Sequence, residues 1–502
     1  TTYEYEAVAQ SYTTAVEVRG GCIGKSFLAN GYHLSINGTE IDTYDQIVEV
    51  PLKGRKTQIP VQLWYGDGEP MTYTVTVIRN IPAEVTFHMT PAESNLQLSD
   101  ANGELLYPVG IQTTETARES HYTLSAEETY RWTASGAGYI GQSGEFEAAD
   151  GSSYEITLQA AEKNPDIRDD MDAEWGDFRG EDNNAVTSAP TPKKAEDAML
   201  YWAVKSGEGW DGTAASPPIL VDGYLYFYAG NRLIQMDKAT GKVLKTAQMV
   251  GRSSFSINPP TYGDGMIFVA LSGGVIQAFN AATMESLWVF HDTFGTEFGS
   301  NQPNSPVIYR NGYVYTGFWN NEEQPGHFVC LSATDEDPHS QTEEKYPMWV
   351  RSQAGGFYWA GAYASDHYIL VGTDDGQFGS SSQTGSLLSM DPISGVLLDT
   401  LEGLNGDIRS TVMYDEATSA YYFTSKGGSF YQVKVNADGT FQKESLRAIS
   451  LSVDGKAAMS TSTPVICNGR AYVGYSGGGQ FTAYDHHGIA VIDLAQFAIA
   501  YT

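Results

Sequence analysis

From residue 216 onward the chain restates one short phrase. Ser216-Pro217-Pro218-Ile219-Leu220-Val221-Asp222-Gly223-Tyr224-Leu225-Tyr226-Phe227 is echoed by Asn258-Pro259-Pro260 with Gly265-Met266-Ile267-Phe268-Val269. It returns as Ser305-Pro306-Val307 with Asn311-Gly312-Tyr313-Val314-Tyr315, and as Thr463-Pro464-Val465 with Asn468-Gly469-Arg470-Ala471-Tyr472-Val473. Each copy offers a small residue or proline, an apolar run, an Asp-Gly or Asn-Gly turn and a Tyr-rich alternating strand. Aligned on Pro218, Pro260, Pro306, Ala362, Thr411 and Pro464, the copies lie 42, 46, 56, 49 and 53 residues apart. Short strands at such a period can bury their apolar faces only by stacking sheet against sheet, which predicts an all-β propeller.

The second half of each unit repeats as well. Asp237-Lys238-Ala239-Thr240-Gly241 corresponds to Asn280-Ala281-Ala282-Thr283-Met284 and to Asp391-Pro392-Ile393-Ser394-Gly395. An Asp or Asn side chain caps such a turn and glycine takes its positive φ, so this is the turn between third and fourth strands. Trp202, Trp288 and Trp349 recur on the expected outer strand, where a large ring can wedge between neighbouring units. Leu200 to Lys205 reads as a further fourth strand before the first full unit, while Phe497 to Tyr501 gives the sixth unit its own. Six units and a fragment point to seven or eight blades in the intact protein.

Upstream, residues 1–80 alternate in short bursts, as in Gln46-Ile47-Val48-Glu49-Val50, with turns at Asn37-Gly38, Lys53-Gly54 and Asp67-Gly68. This predicts a small β-sandwich. Its last strand, Tyr73-Thr74-Val75-Thr76-Val77-Ile78-Arg79, resembles the closing strand of cadherin-like modules of bacterial surface proteins. Residues 81–161 predict a second sandwich. Its Gly136-Ala137-Gly138-Tyr139-Ile140 step and Ser143-Gly144-Glu145-Phe146 are similar to small modules repeated along such proteins, where they act as spacers. Residues 162–198 read as an acidic, solvated linker and lead-in, with Asp166, Asp169, Asp170, Asp172, Glu174, Asp177, Glu181 and Asp182 close together. A calcium loop from Asp170 through Asp172 and Glu174 has Trp175 where glycine belongs, so a solvated acidic linker is expected ahead of a calcium site, and no metal is assigned.

Within the linker, Trp175-Gly176-Asp177-Phe178-Arg179-Gly180, followed by Leu200-Tyr201-Trp202, resembles the opening of propellers of the pyrroloquinoline-quinone (PQQ)-like repeat family. That family includes quinoprotein dehydrogenases and an outer-membrane assembly lipoprotein. The resemblance runs over about residues 174–502 and implies a PQQ-like propeller over 199–502. The dehydrogenases it includes carry adjacent cysteines, a calcium and a catalytic aspartate. Here Cys22, Cys330 and Cys467 stand far apart, so PQQ is not expected, nor any other cofactor. Neither a Gly-x-Ser-x-Gly elbow nor a His-Glu-x-x-His pair appears, and His486-His487 lacks further ligands nearby. A non-catalytic protein is expected.

The 502 residues carry 61 acidic and 29 basic side chains, a formal charge of −32 that repels nucleic acid and anionic membranes. No apolar run reaches the roughly 18 residues a membrane-spanning helix needs. Thr1 is not a natural start, so the numbered chain reads as a processed or trimmed product. These readings suggest a secreted or surface-attached bacterial protein that binds extracellular protein or glycan. An envelope scaffold and a quinone-dependent or carbohydrate-active enzyme are the alternatives. Candidate ligand contacts are the non-repeating residues ahead of each first strand. They are Trp210, Arg252, Phe255, Asn258, Asn301, Phe357, Tyr358, Trp359, Asp407 and Arg409. Aromatic rings beside amides and charges suit sugar or peptide, although the same rings could pack between blades. Within Gly355-Gly356-Phe357-Tyr358-Trp359 the three aromatics cannot all face one core, so this run is expected to be exposed.

Overall fold

The repeated turn chemistry folds each unit into one antiparallel sheet. Asp237 Oδ1 accepts from the Thr240 amide and hydroxyl at 2.7 and 2.6 Å, and Asp391 Oδ1 treats Ser394 alike at 2.6 and 2.7 Å. Gly241 and Gly395 take φ of 68° and 67° there, while Met284 is held at 68° in the copy that lacks glycine. The computed structural model describes residues 3–20, 28–206, 214–253, 258–294, 302–321, 323–341, 343–377, 384–452, 458–477 and 487–502. Over these residues the chain is all-β, with two sandwiches followed by six blades.

Blade 1 orders its strands Ile219–Val221, Tyr224–Ala229, Arg232–Asp237 and Val243–Gln248 from inside to outside. Blades 2 to 6 begin at Thr261–Gly263, Ile308–Arg310, Tyr363–Ala364, Met413–Asp415 and Val465–Cys467 and repeat that order. Buried clusters join each blade to the next, for example Ile267, Phe279 and Val289 of blade 2 with Tyr226 and Leu233 of blade 1. A second seam repeats too. The Tyr226 hydroxyl donates to Ala281 O of blade 2 at 2.9 Å, and the Tyr315 hydroxyl to Pro392 O of blade 4 at 3.3 Å. Trp288 and Trp349 lie on outer strands, Ser286–His291 and Pro347–Gln353, and donate across to Ala333 O and Pro392 O.

Leu200 to Lys205 forms no strand, contrary to expectation. Leu200 and Tyr201 are exposed, because no ladder partner faces them among the described residues. Trp202 nevertheless keeps the repeated seam. Its Nε1 donates to Lys238 O at 3.0 Å and its ring lies against Gly241, covering the blade 1 face formed by Phe227, Ile234 and Met236.

Residues 164–184, expected as a solvated linker, form a strap along the lower end of the propeller, where first strands turn into second strands. Trp175 and Leu220 of blade 1 exchange backbone hydrogen bonds at 2.9 and 2.8 Å, and the Tyr262 amide of blade 2 donates to Gly176 O. Asn183 Nδ2 donates to Ala362 O of blade 4 and Val412 O of blade 5. The Asn184 amide exchanges two bonds with the Ile466 backbone of blade 6, and Arg179 Nη2 donates to Pro464 O. One segment thus ties first strands of five blades by satisfying backbone groups that face the channel. Between strap and turns lies a cavity of about 880 Å³ whose walls include Trp175, Asp177, Tyr309 and Tyr414.

In the first sandwich a five-stranded sheet, with Glu4–Ala9 parallel to Met71–Arg79, covers the pair Ala15–Arg19 and Ile47–Pro51 over Leu34, Ile36, Val50, Ile59 and Val77. The second packs two four-stranded sheets over Phe87, Leu98, Tyr122, Phe146 and Ile156. It sits on the outer strand of blade 3. Asn95 Nδ2 donates to Met348 O, the Val350 amide to Gln97 Oε1 and the Ser352 amide to the Tyr107 hydroxyl, at 2.8, 2.8 and 2.9 Å. No helix among the described residues is long and apolar enough to cross a membrane.

Candidate functional site

The upper end of the propeller collects the segments entering first strands and the connections leaving second strands. Non-repeating side chains meet there. The run 354–359, between blades 3 and 4, is locked by close backbone packing. A Cβ on Gly356 would lie 2.9 Å from both Gly326 Cα and Phe318 O, and one on Gly355 would lie 2.4 Å from Gly376 N. The Phe357 amide donates to Phe318 O, and Ser305 Oγ donates to Phe357 O at 3.0 Å.

These clamps divide the three aromatics. Phe357 is fully buried, with its ring 5.2 Å from that of Phe328 in the core between blades 3 and 4. Tyr358, expected to be exposed, is also buried, between Trp319 at 4.2 Å and Trp359 at 4.4 Å with planes inclined by 24° and 22°, so of the three aromatics only Trp359 is part-exposed. Trp359 holds φ at 61°. For a bulky residue this left-handed backbone costs about 1–2 kcal/mol and persists only where surrounding contacts impose it.

Beside the stack lies a buried ionic network. Arg409 Nε and Nη2 donate to Asp374 Oδ1 and Oδ2 at 3.0 and 2.5 Å, a two-pronged pair, and Nη2 lies 3.2 Å from Asp407 Oδ2. Lys426 Nζ donates to the same Asp407 oxygen at 3.4 Å, and the Asp375 amide donates to Asp407 Oδ1 at 3.0 Å. Burial pushes the Asp374 carboxyl up to about 7, the Arg409 charge pulling it down and the Asp407 charge adding to the rise. Two carboxylates and two cations balance, as charges withdrawn from water require. The Arg409 guanidinium also lies 4.8 Å from the Tyr358 ring centre, coupling network to stack.

Four polar atoms at this mouth are closed off from solvent with no hydrogen-bond partner among the described residues: Trp319 Nε1, Trp359 Nε1, Asn304 Oδ1 and Asn320 Oδ1. Asn304 is only 1% exposed; its Nδ2 donates to Gln302 Oε1, and its carbonyl accepts from Asn258 Nδ2. Gln302 in turn pairs by backbone with Trp319, at 2.6 and 3.2 Å, so amides and stack are contiguous.

Of the expected contacts, Tyr358, Trp359, Asp407 and Arg409 come together here. Phe357 is core, because the Gly355-Gly356 clamp points it inward. Asn258 is buried, and its amide holds the backbone of the neighbouring connection. Arg252 is exposed in the connection from blade 1 to blade 2, with its carbonyl accepting from the Ser272 amide. Trp210, Phe255 and Asn301 lie outside the described residues. Sequence reasoning missed Trp319, Asp374 and Lys426. All three follow second strands, at Gly317, Thr373 and Thr424, where blades 1 and 2 have Gly230-Asn231 and Ser272-Gly273-Gly274. The signal is there in the copies, which differ at these exits as they do ahead of the first strands.

Among the described residues the buried cations of this mouth, Arg409 and Lys426, hold carboxylates, and Cys330, whose thiol burial raises in pKa, lies in the core between blades 3 and 4. Among the described residues no group of three or more His, Cys, Asp or Glu side chains is placed to hold a metal ion.

Residues 194–335 match the repeat family described as outer membrane protein assembly factor BamB, a span from before blade 1 into blade 3. No curated protein matches the chain. Among solved structures, a europium-containing methanol dehydrogenase is similar at 11% identity and a TM-score of 0.48, over 65% of this chain and 78% of that one. A quinohemoprotein alcohol dehydrogenase from Comamonas testosteroni is similar at 13% identity and 0.39, over 68% of this chain and 64% of its own length. BamB from Moraxella catarrhalis is similar at 12% identity and 0.34, over 54% of this chain and 80% of its own.

Proposed function

We propose that this chain is a non-catalytic binding protein, secreted or attached to a bacterial surface, that takes an extracellular protein or glycan at the upper mouth of its propeller. One observation carries the reading: the Trp319–Tyr358–Trp359 stack is held in place by clamped backbone and faces a charge network neutralised from within. Asp374, Arg409, Asp407 and Lys426 hold one another, which stiffens the floor under the rings. The second sandwich, fixed to blade 3 through Asn95, Gln97 and Tyr107, serves as the rigid top of a stalk.

A scaffold role, in which the propeller docks envelope proteins, is the second reading, and the match of residues 194–335 to an assembly factor family favours it. The test is to select ligands for the full chain from a displayed peptide library and an array of bacterial and host glycans. Binding of the selected ligands to the Trp319→Ala, Trp359→Ala double variant is then measured. The upper-mouth reading expects their affinity to fall at least about a hundredfold, as lost aromatic anchors do. Ligands that bind wild type and variant alike place recognition elsewhere and refute it.

A further inference from the structure

We infer that the cleft between the second sandwich and blade 4 binds the C-terminal end of an extended peptide, its terminal carboxylate on the Arg118 guanidinium and an apolar last side chain beside it. The site is separate from the upper mouth and does not depend on it.

Arg118 opens the strand Arg118–Ser125 on the face that carries the core residues Tyr122 and Leu124. Alternation thus turns a charged side chain inward, and the residue is only 7% exposed. Its Nε donates to Ala92 O at 3.1 Å. Nη1 and Nη2 have no acceptor among the described residues, yet neither is closed off from solvent. Burial lowers the pKa of this group, and Asp391, Tyr313 and Glu93 oppose the shift through charge alone, without a hydrogen bond to it. Asp391 is committed elsewhere, because its Oδ1 accepts from the Ile393 and Ser394 amides and the Ser394 hydroxyl at 3.1, 2.6 and 2.7 Å. A charge withdrawn from water without a close counter-ion is costly, so an incoming anion gains by pairing with it.

A cleft of about 300 Å³ leads to this guanidinium, with Ile111, Thr113, Val396 and Leu398 in its walls. Thr113 pairs with Arg118 and Ile111 with Ser120, so Ile111, Thr113 and Arg118 share one face of their sheet. With Nε held by Ala92, the two Nη groups remain side by side and match the two oxygens of a carboxylate. Ile111, Val396 and Leu398 give the neighbouring side chain an apolar seat. Arg118 is the one cation in these walls among the described residues, which suits a single negative charge better than a phosphate dianion. The volume lies at the small end of ligand sites, about 300–1,000 Å³, and takes the tip of a chain rather than a folded surface. Backbone recognition is at hand as well. Strand Gly110–Thr113 ends its sheet, with Arg118–Ser125 on one side and no strand on the other among the described residues. Such an edge accepts an added strand, which carries its own terminal carboxylate toward Arg118.

The experiment titrates the full chain with fluorescein-labelled hexapeptides of β-prone sequence ending in Val, Leu or Phe, each as free acid and as C-terminal amide, with N-acetyl-leucine as competitor. Fluorescence polarisation reads binding to wild type, Arg118→Gln, Val396→Glu and Trp359→Ala, and circular dichroism verifies folding. The expected result is saturable binding of a free acid, weakened at least about tenfold by amidation and by Arg118→Gln, and unchanged by Trp359→Ala. Because Arg118→Gln also alters a buried position, Val396→Glu provides the second arm. It leaves Arg118 itself untouched and sets a rival carboxylate in the cleft, so it should weaken binding at least as much. The inference fails if no hexapeptide binds, if amides bind as well as acids, or if Val396→Glu matches wild type. It fails also if N-acetyl-leucine binds as tightly as the hexapeptides, since the strand edge then contributes nothing. Loss of binding in Trp359→Ala would assign the peptides to the upper mouth and overturn the inference while supporting the mouth reading.

Discussion

Asn183 gives the sharpest test of how the strap holds the propeller together. Its Nδ2 donates to Ala362 O of blade 4 at 2.9 Å and to Val412 O of blade 5 at 2.8 Å, and its backbone sits at φ 56°. Asn183→Gly keeps the left-handed backbone without strain and deletes both bonds. Each bond contributes about 1 kcal/mol net, and each carbonyl left facing the channel adds to the loss, for a total of about 2–3 kcal/mol. The looser unfolded chain of a glycine variant adds roughly 0.5–1 kcal/mol. For a domain of this size about 2 °C accompanies each kcal/mol, so Tm should fall by roughly 5–8 °C. Asn183→Asp should fall further, because a carboxylate would face two carbonyl oxygens it cannot bond. Thermal unfolding followed by tryptophan fluorescence reads the shift, and amide hydrogen exchange at the first strands of blades 4 and 5 localises it. If Asn183→Gly melts within about 1 °C of wild type and exchange there is unchanged, the strap does not hold the blades and the reasoning is wrong.

The seam and the charge pattern make two further predictions. A Cβ on Gly395 would lie 2.5 Å from the Trp349 ring, in a residue at φ 67°; Gly395→Ala should therefore destabilise by about 2–4 kcal/mol, measured by chemical denaturation. Burial raises the Glu343 carboxyl from 4.5 to about 7, with the charges of Glu336 and Asp335 adding to the rise and Lys345 opposing it. The folded chain then holds a proton that the unfolded chain has released, so this group's contribution to stability is lost as pH rises from about 4.5 to about 7. Glu343→Gln should flatten that part of the stability–pH curve and exceed wild type above it; equal slopes in both proteins would disprove the assignment.

Much of the propeller was legible because its determinants are local. Strand alternation, Asp-Gly and Asn-Gly turns and the Asp-x-x-Thr-Gly cap act within a few residues of each other, and Asp237, Asn280 and Asp391 cap their turns as their spacing predicts. Leu200 to Lys205 misled because alternation reports only what a strand would bury. Without a neighbouring ladder, only Trp202 finds a place. The strap misled for the opposite reason. Its acids dominate composition, yet its binding to the propeller runs mostly through backbone groups, Arg179 and the adjacent Asn183 and Asn184, with Glu174 and Asp182 adding contacts to blades 1 and 4; the partners of Arg179, Asn183 and Asn184 lie 179 to 285 residues away. At the mouth, Tyr358, Trp359, Asp407 and Arg409 were visible as breaks in the repeat. Trp319, Asp374 and Lys426 were not, since it takes the radial arrangement of blades 3, 4 and 5 to bring second-strand exits against first-strand beginnings. Phe357 shows the limit of reading a run by composition. Three consecutive aromatics divide between core and mouth by the φ of the glycines before them.

The upper mouth as the binding surface is the central claim, and calorimetric titration of a ligand selected from the peptide library or the glycan array tests it most directly. Wild type and the Trp319→Ala, Trp359→Ala double variant would be titrated side by side, with circular dichroism matched. The account predicts one saturable site in wild type and a loss of at least about a hundredfold in the variant. Equal affinity in the two proteins would contradict it.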